Sequence, residues 1–289
     1  MQIIPPCFFA LFLTNLICLH LSSAYNILYQ VCSSTRNESA NSTYSFNLDK
    51  LLSSLSTEAV AKRGFHTNTI GAALDQISGL VLCRGDVNSS ICGNCINQSF
   101  TDLSNLCPYS TEATIFYDFC LLRYSNQQFL NSTDNSQQVY KVREEGQIRN
   151  NSRSNIAAKN YFNNEVNTLL SSVSNQAAYD SKKGFATGII YITEPLPVIY
   201  GLSQCTPDFS SNTCHACLQD LLDQMPKRFD GWKGGRILGV RCNLRYEIFP
   251  FFDGNPNLQI GSISEASATG DQPTQPPPMN SPSSTSKGD

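Results

Sequence analysis

The sequence predicts two tandem α+β domains, each with helices packed on one face of an antiparallel sheet and each fastened by disulfides. Three observations carry this. Cys83, Cys92 and Cys95 are separated by eight and by two residues, and Cys205, Cys214 and Cys217 repeat that spacing. Leu-Leu-Ser-Ser-Leu at 51–55 returns as Leu-Leu-Ser-Ser-Val at 169–173, and Lys-Arg-Gly-Phe at 62–65 as Lys-Lys-Gly-Phe at 182–185. Within each copy a helical apolar stripe is followed by segments rich in strand formers. Matched features at a fixed offset mark a duplicated unit.

The chain opens with an apolar run, Cys7 to Leu21, too short to span a bilayer and followed by the small residues Ser22-Ser23-Ala24. That pattern predicts a cleaved secretory signal over 1–24. The first domain is placed at 25–129 and the second at 136–251. In the second copy Phe162, Val166, Leu169, Leu170, Val173 and Ala177 share one face of a helix, and Leu48, Leu51, Leu52, Leu55 and Ala59 match them in the first. Gly64 and Gly184 follow these helices, where a turn into a strand is expected. Segments 68–83 and 186–205 then read as two strands with a bend, Pro195 and Pro197 interrupting the second copy. A shorter helix starts near each Cys-x-x-Cys, since Cys217, Leu218, Leu221, Leu222 and Met225 share a face, as do Cys95, Ile96, Phe100 and Leu103. Ala113 to Tyr124 and Arg236 to Phe249 close the copies as β segments. Residues 252–289, rich in Ser, Pro, Thr and Gly, are predicted to be a disordered tail because such a composition buries too little surface to offset chain entropy.

Twelve cysteines are present, of which Cys7 and Cys18 leave with the signal. The ten that remain read as a disulfide framework in an oxidising compartment. The first copy alone has six, Cys32, Cys83, Cys92, Cys95, Cys107 and Cys120, which allow fifteen pairings. The second copy has Phe229 where Cys107 would be and nothing to match Cys32. Two partners lost together are most simply the ends of one bond, Cys32 with Cys107. The four cysteines common to both copies then pair among themselves, and Phe229 is free to pack in the core.

Cys-x8-Cys-x2-Cys with further cysteines at Cys107 and Cys120 resembles the plant ginkbilobin-homologous domain, also called the stress-antifungal domain, and the resemblance covers both repeats. Tandem copies behind a signal are similar to cysteine-rich repeat secretory proteins and to the ectodomains of cysteine-rich receptor-like kinases and plasmodesmata-located proteins. The resemblance implies a five-stranded antiparallel sheet with two helices per domain. It also implies the pairs Cys32–Cys107, Cys83–Cys92, Cys95–Cys120, Cys205–Cys214 and Cys217–Cys242. The mannose site of ginkbilobin maps in the first copy onto Ser33, Thr114 and Ser125, none of which keeps the required type. In the second copy it includes Arg236 and Glu247, which do, while its asparagine has no equivalent because the first cysteine is missing, so part of the site is kept. A guanidinium and a carboxylate suit adjacent sugar hydroxyls, while the plainer reading is an ion pair between neighbouring strands. Tyr246 and Trp232 offer rings near by, for stacking or for the core.

Little points to catalysis. His66 and His215 are the histidines of the mature chain, and neither accompanies a nucleophile or paired carboxylates. His215 sits within Cys214-His-Ala-Cys217, a possible zinc set, but Gly93 stands at its place in the first copy and secretion favours disulfides. A redox reading of Cys-x-x-Cys needs the two thiols to pair with each other. No enzyme activity, cofactor or metal is expected. The net charge of −3 with dispersed signs gives no basic footprint for nucleic acid. Sequons at Asn37, Asn41, Asn88, Asn97, Asn131 and Asn150 predict a glycan-coated first domain. The expected protein is a secreted, non-enzymatic recognition module of the apoplast or cell wall, binding a glycan or an extracellular protein and open to association with related domains. The alternatives are the ectodomain of a receptor-like kinase at the plasma membrane and a mannose-binding antifungal effector.

Overall fold

The computed structural model describes residues 26–33, 42–72, 75–142, 146–148, 152–192 and 198–261. The predicted signal, the bend at Pro195 and Pro197, and the tail beyond 261 lie outside them. In the first domain β1 (Ile27–Cys32) is followed by α1 (Thr43–Ala61), β2 (Phe65–Ile70), β3 (Ile77–Cys83), α2 (Ser89–Leu106), β4 (Glu112–Tyr117) and β5 (Cys120–Ser125). The second domain repeats this as β6 (Val139–Val142), α3 (Arg153–Asn175), β7 (Phe185–Tyr191), β8 (Val198–Cys205), α4 (Ser211–Arg228), β9 (Gly235–Leu238) and β10 (Cys242–Glu247), then adds β11 (Leu258–Ile260).

Each helix begins where its sequence supplies a cap. Ser42, Asn88, Ser152 and Ser210 accept hydrogen bonds from the backbone N–H three residues on, satisfying a donor that has no partner within the helix. The predicted stripes are the buried faces: Leu51, Leu55 and Ala59 in α1, and Phe162, Leu169, Leu170 and Val173 in α3, are wholly enclosed. Gly64 and Gly184 both take positive φ, and each carbonyl accepts from the last cysteine of the following hairpin, Cys83 or Cys205, at 2.7 Å.

The first sheet has the order β1-β4-β5-β3-β2 and is antiparallel throughout. The second follows the same plan as β6-β9-β10-β8-β7 and then departs from the expected five strands, because β11 joins its edge in parallel with β7. The predicted tail boundary at 252 is therefore corrected: residues 252–261 are ordered, anchored by Asn257, whose side chain accepts from the backbone N–H of Thr187.

The helices cover one face of each sheet, and the opposite faces meet. Every residue of β3 is buried, since Ile77 and Val81 face the helices while Leu80 and Leu82 face the second domain. There they pack with Phe116 and Leu121 of the first domain and Leu238 and Val240 of the second. A Cβ on Gly85 would lie 2.2 Å from the Phe185 ring, so only glycine permits this approach. Gln204 donates to the Cys83 carbonyl at 2.9 Å across the same seam. The link between the domains is docked as well, with Asn135 bonded to the backbone of Arg241 and Cys242.

Candidate functional site

Arg236 and Glu247 stand on adjacent strands, with Nη2 of the arginine 3.7 Å from Oε1 of the glutamate. Their strand positions turn them toward the domain seam. Residues two apart in a strand share a face, so Arg245 and Glu247 point the same way, and register places Arg245 opposite Arg236. Arg245 Nε donates to Glu247 Oε1 at 2.9 Å. The fourth member comes from the first domain: Asp118, at the tip of the β4–β5 hairpin, accepts from Arg236 Nη1 at 2.5 Å and from Arg245 Nη1 at 3.3 Å. Two guanidinium groups and two carboxylates thus form one cluster across the seam.

The electrostatics follow from that enclosure. Burial pulls the Arg245 guanidinium down to about 10, with Arg236 adding to the effect and Glu247 and Asp118 opposing it. Burial raises the Asp118 carboxyl, but Arg236 and Arg245 together outweigh it and hold the group below its ordinary value. Glu247 has no exposed side-chain surface. The cavity at the cluster measures about 60 Å³, far below the roughly 300–1,000 Å³ of ordinary ligand pockets. In the first copy the matching positions Thr114 and Ser125 are also buried. A sugar at Arg236 would have to displace Asp118 of the first domain.

The remaining sequence candidates are accounted for by packing. The five disulfides are Cys32–Cys107, Cys83–Cys92, Cys95–Cys120, Cys205–Cys214 and Cys217–Cys242. Cys214 and Cys217 are thereby unavailable to zinc or to each other, and His215 lies against Tyr179 with ring centroids 5.4 Å apart. His66 is on β2, its acidity increased by partial burial and by Lys62. Phe229 fills the core in place of the missing disulfide, edge-on to Tyr246. The Tyr246 hydroxyl donates to the Trp232 carbonyl at 2.7 Å, and the buried Tyr246 ring and the partly buried Trp232 pack in the same core. Asn88, Asn97 and Asn131 are exposed, while Asn37, Asn41 and Asn150 lie outside the described residues.

What sequence reasoning missed is a groove on the helical side of the second domain, about 620 Å³, between α3 and α4. Asn160, Asn164, Asn167, Gln219 and Asp223 line its exposed rim, and Val166 and Met225 lie at its base. Carboxamides donate and accept at one group, which matches vicinal hydroxyls. The asparagine run at 160, 163, 164 and 167 was the available signal, because helical spacing sets it on one face beside the apolar stripe.

The salt stress response/antifungal family matches residues 31–127 and 148–248. An antimicrobial ginkbilobin-2-like protein of Castanea crenata is 38% identical over 84% of this chain and 95% of its own length. Cysteine-rich receptor-like protein kinase 6 of Oryza sativa is 37% identical over 79% of this chain, which spans 33% of that kinase. Among solved structures, the tandem DUF26 ectodomain of the Arabidopsis thaliana cysteine-rich receptor-like protein PDLP8 superposes with a TM-score of 0.62 at 24% identity, covering 76% of this chain and 97% of that one.

Proposed function

Because the chain belongs to the salt stress response/antifungal family, and because its two sheets close on each other, we propose that it is a non-enzymatic extracellular recognition protein whose ligand is a neutral cell-wall or microbial glycan. The observation that carries this reading is the amide-rimmed groove between α3 and α4, a concave polar surface of ligand size on the side that domain packing leaves free. Amide side chains on two helices, above an apolar base, hold sugar hydroxyls by paired hydrogen bonds. The five disulfides suit an oxidising location, and among the described residues no helix is long and apolar enough to cross a membrane.

Calorimetric titration of mannotetraose into the glycosylated protein tests this. The reading expects saturable binding, weakened at least tenfold by Asn164→Ala with Asn167→Ala, and unchanged by Glu247→Gln. Binding abolished by Glu247→Gln alone would return the site to the Arg236–Glu247 pair, and an absence of heat would remove mannan-type glycans as ligands.

A second reading is favoured by the rice kinase match: the chain as the recognition part of a receptor-like kinase at the plasma membrane. The full-length transcript decides this, since a receptor continues into about 20 apolar residues. Direct antifungal action, the reading that follows the chestnut relative's name, is checked by growth inhibition with the purified protein.

A further inference from the structure

The two copies make the same tight turn after their second helix, with different residues at its strained position. In the second copy the Trp232 N–H donates to the Phe229 carbonyl at 3.0 Å, and Gly231 between them has φ of +72°. In the first copy the Ser110 N–H donates to the Cys107 carbonyl at 3.2 Å, and the residue between them is Tyr109, with φ of +61°. Glycine enters that region freely, whereas a bulky side chain there is an outlier that persists only when its surroundings impose it.

The surroundings do impose it. The Cys32–Cys107 disulfide ties the start of the turn to β1. The Tyr44 hydroxyl donates to the Thr111 carbonyl at 2.7 Å and the Tyr124 hydroxyl to the Ser110 carbonyl at 3.3 Å, fixing its end. All this order holds an aromatic ring that is 52% exposed, where core packing cannot explain it. Tyr109 stands at a groove of about 240 Å³ between α1 and α2, the first domain's counterpart of the groove between α3 and α4. Asp49, Ser45 and Ser104 line it with Tyr109, and the Asp49 carboxylate makes no hydrogen bond or ion pair among the described residues.

We propose that Tyr109 and Asp49 form a second saccharide site, in the first domain, for a pyranose with equatorial hydroxyls, its C–H face on the tyrosine ring and its hydroxyls donating to the carboxylate. An exposed ring presents an apolar face to such C–H groups, and an ionised carboxylate accepts hydrogen bonds from two hydroxyls. β-1,4-linked glucose and N-acetylglucosamine share this chemistry, the first from plant wall and the second from fungal wall. The site is separate from the groove between α3 and α4 and stands or falls without it.

Cellotetraose and chitotetraose are titrated separately into the parent protein, Tyr109→Gly, Asp49→Asn and the Asn164→Ala, Asn167→Ala double variant. Tyr109→Gly installs the residue that the second copy uses, so its urea midpoint should equal or exceed the parent's. The proposal expects one of the sugars to bind, at least tenfold loss with Tyr109→Gly, several-fold loss with Asp49→Asn, and no change in the double variant. Which sugar binds identifies the source. Binding by neither sugar, or equal binding by the parent and Tyr109→Gly, overturns it.

Discussion

Replacing Glu247 with glutamine separates a domain lock from a sugar site. The substitution keeps the shape and removes one charge from a cluster in which Glu247 is fully enclosed and contacts Arg245 at 2.9 Å and Arg236 at 3.7 Å. The two guanidinium groups, 13% and 11% exposed, would then share Asp118 alone. Breaking a buried ion pair from one side costs about 3–5 kcal/mol, because the remaining charge is left uncompensated. Asp118 still offsets one arginine and is itself 40% exposed, so the lower end applies, about 3 kcal/mol or roughly a hundredfold in the folding equilibrium. Equilibrium urea unfolding of the oxidised protein, followed by the fluorescence of Trp232, reads this directly. A loss below about 1 kcal/mol, the range of an exposed pair, would refute the argument that the cluster is a buried lock.

Three further outcomes follow. Serine at both Cys32 and Cys107 removes a crosslink spanning 75 residues, and the chain-entropy relation puts the loss at about 4.5 kcal/mol for the first domain, measurable by urea unfolding. Gly85→Ala would push a methyl into the Phe185 ring, so the domains should part; small-angle scattering should show a larger radius of gyration, and an unchanged radius would contradict the seam described above. The depressed Asp118 carboxyl contributes stability above its unfolded value of about 3.9, lost as pH falls through its lower folded value. The gap in urea midpoint between the parent and Asp118→Asn should hold from pH 7 to 5 and shrink below about pH 4, whereas a gap constant down to pH 2.5 would deny the linkage.

Most of the fold was legible because duplication let each copy proofread the other. Leu51 and Leu169, Gly64 and Gly184, and the shared cysteines each appear twice with one physical role. The lone features were harder. Leu258-Gln259-Ile260 is too short to read as a strand beside a Ser/Pro-rich stretch, and it owes its order to a neighbouring edge that the sequence does not display. Asp118 and Arg236 are 118 residues apart, so nothing local announced their pairing. Resemblance singled out Arg236 and Glu247, but only the packing of one sheet against the other shows that both are occupied. Tyr109 carries no sequence mark of its left-handed backbone; its alignment with Gly231 was the signal that could have revealed it.

On the proposed function the helical side is the recognition surface and the sheet side stays closed as a seam. Amide hydrogen exchange with and without saturating mannotetraose tests this most directly. Added protection confined to residues 160–171 and 219–229, with none at 236–247, is the predicted pattern, and protection centred on 236–247 would contradict it.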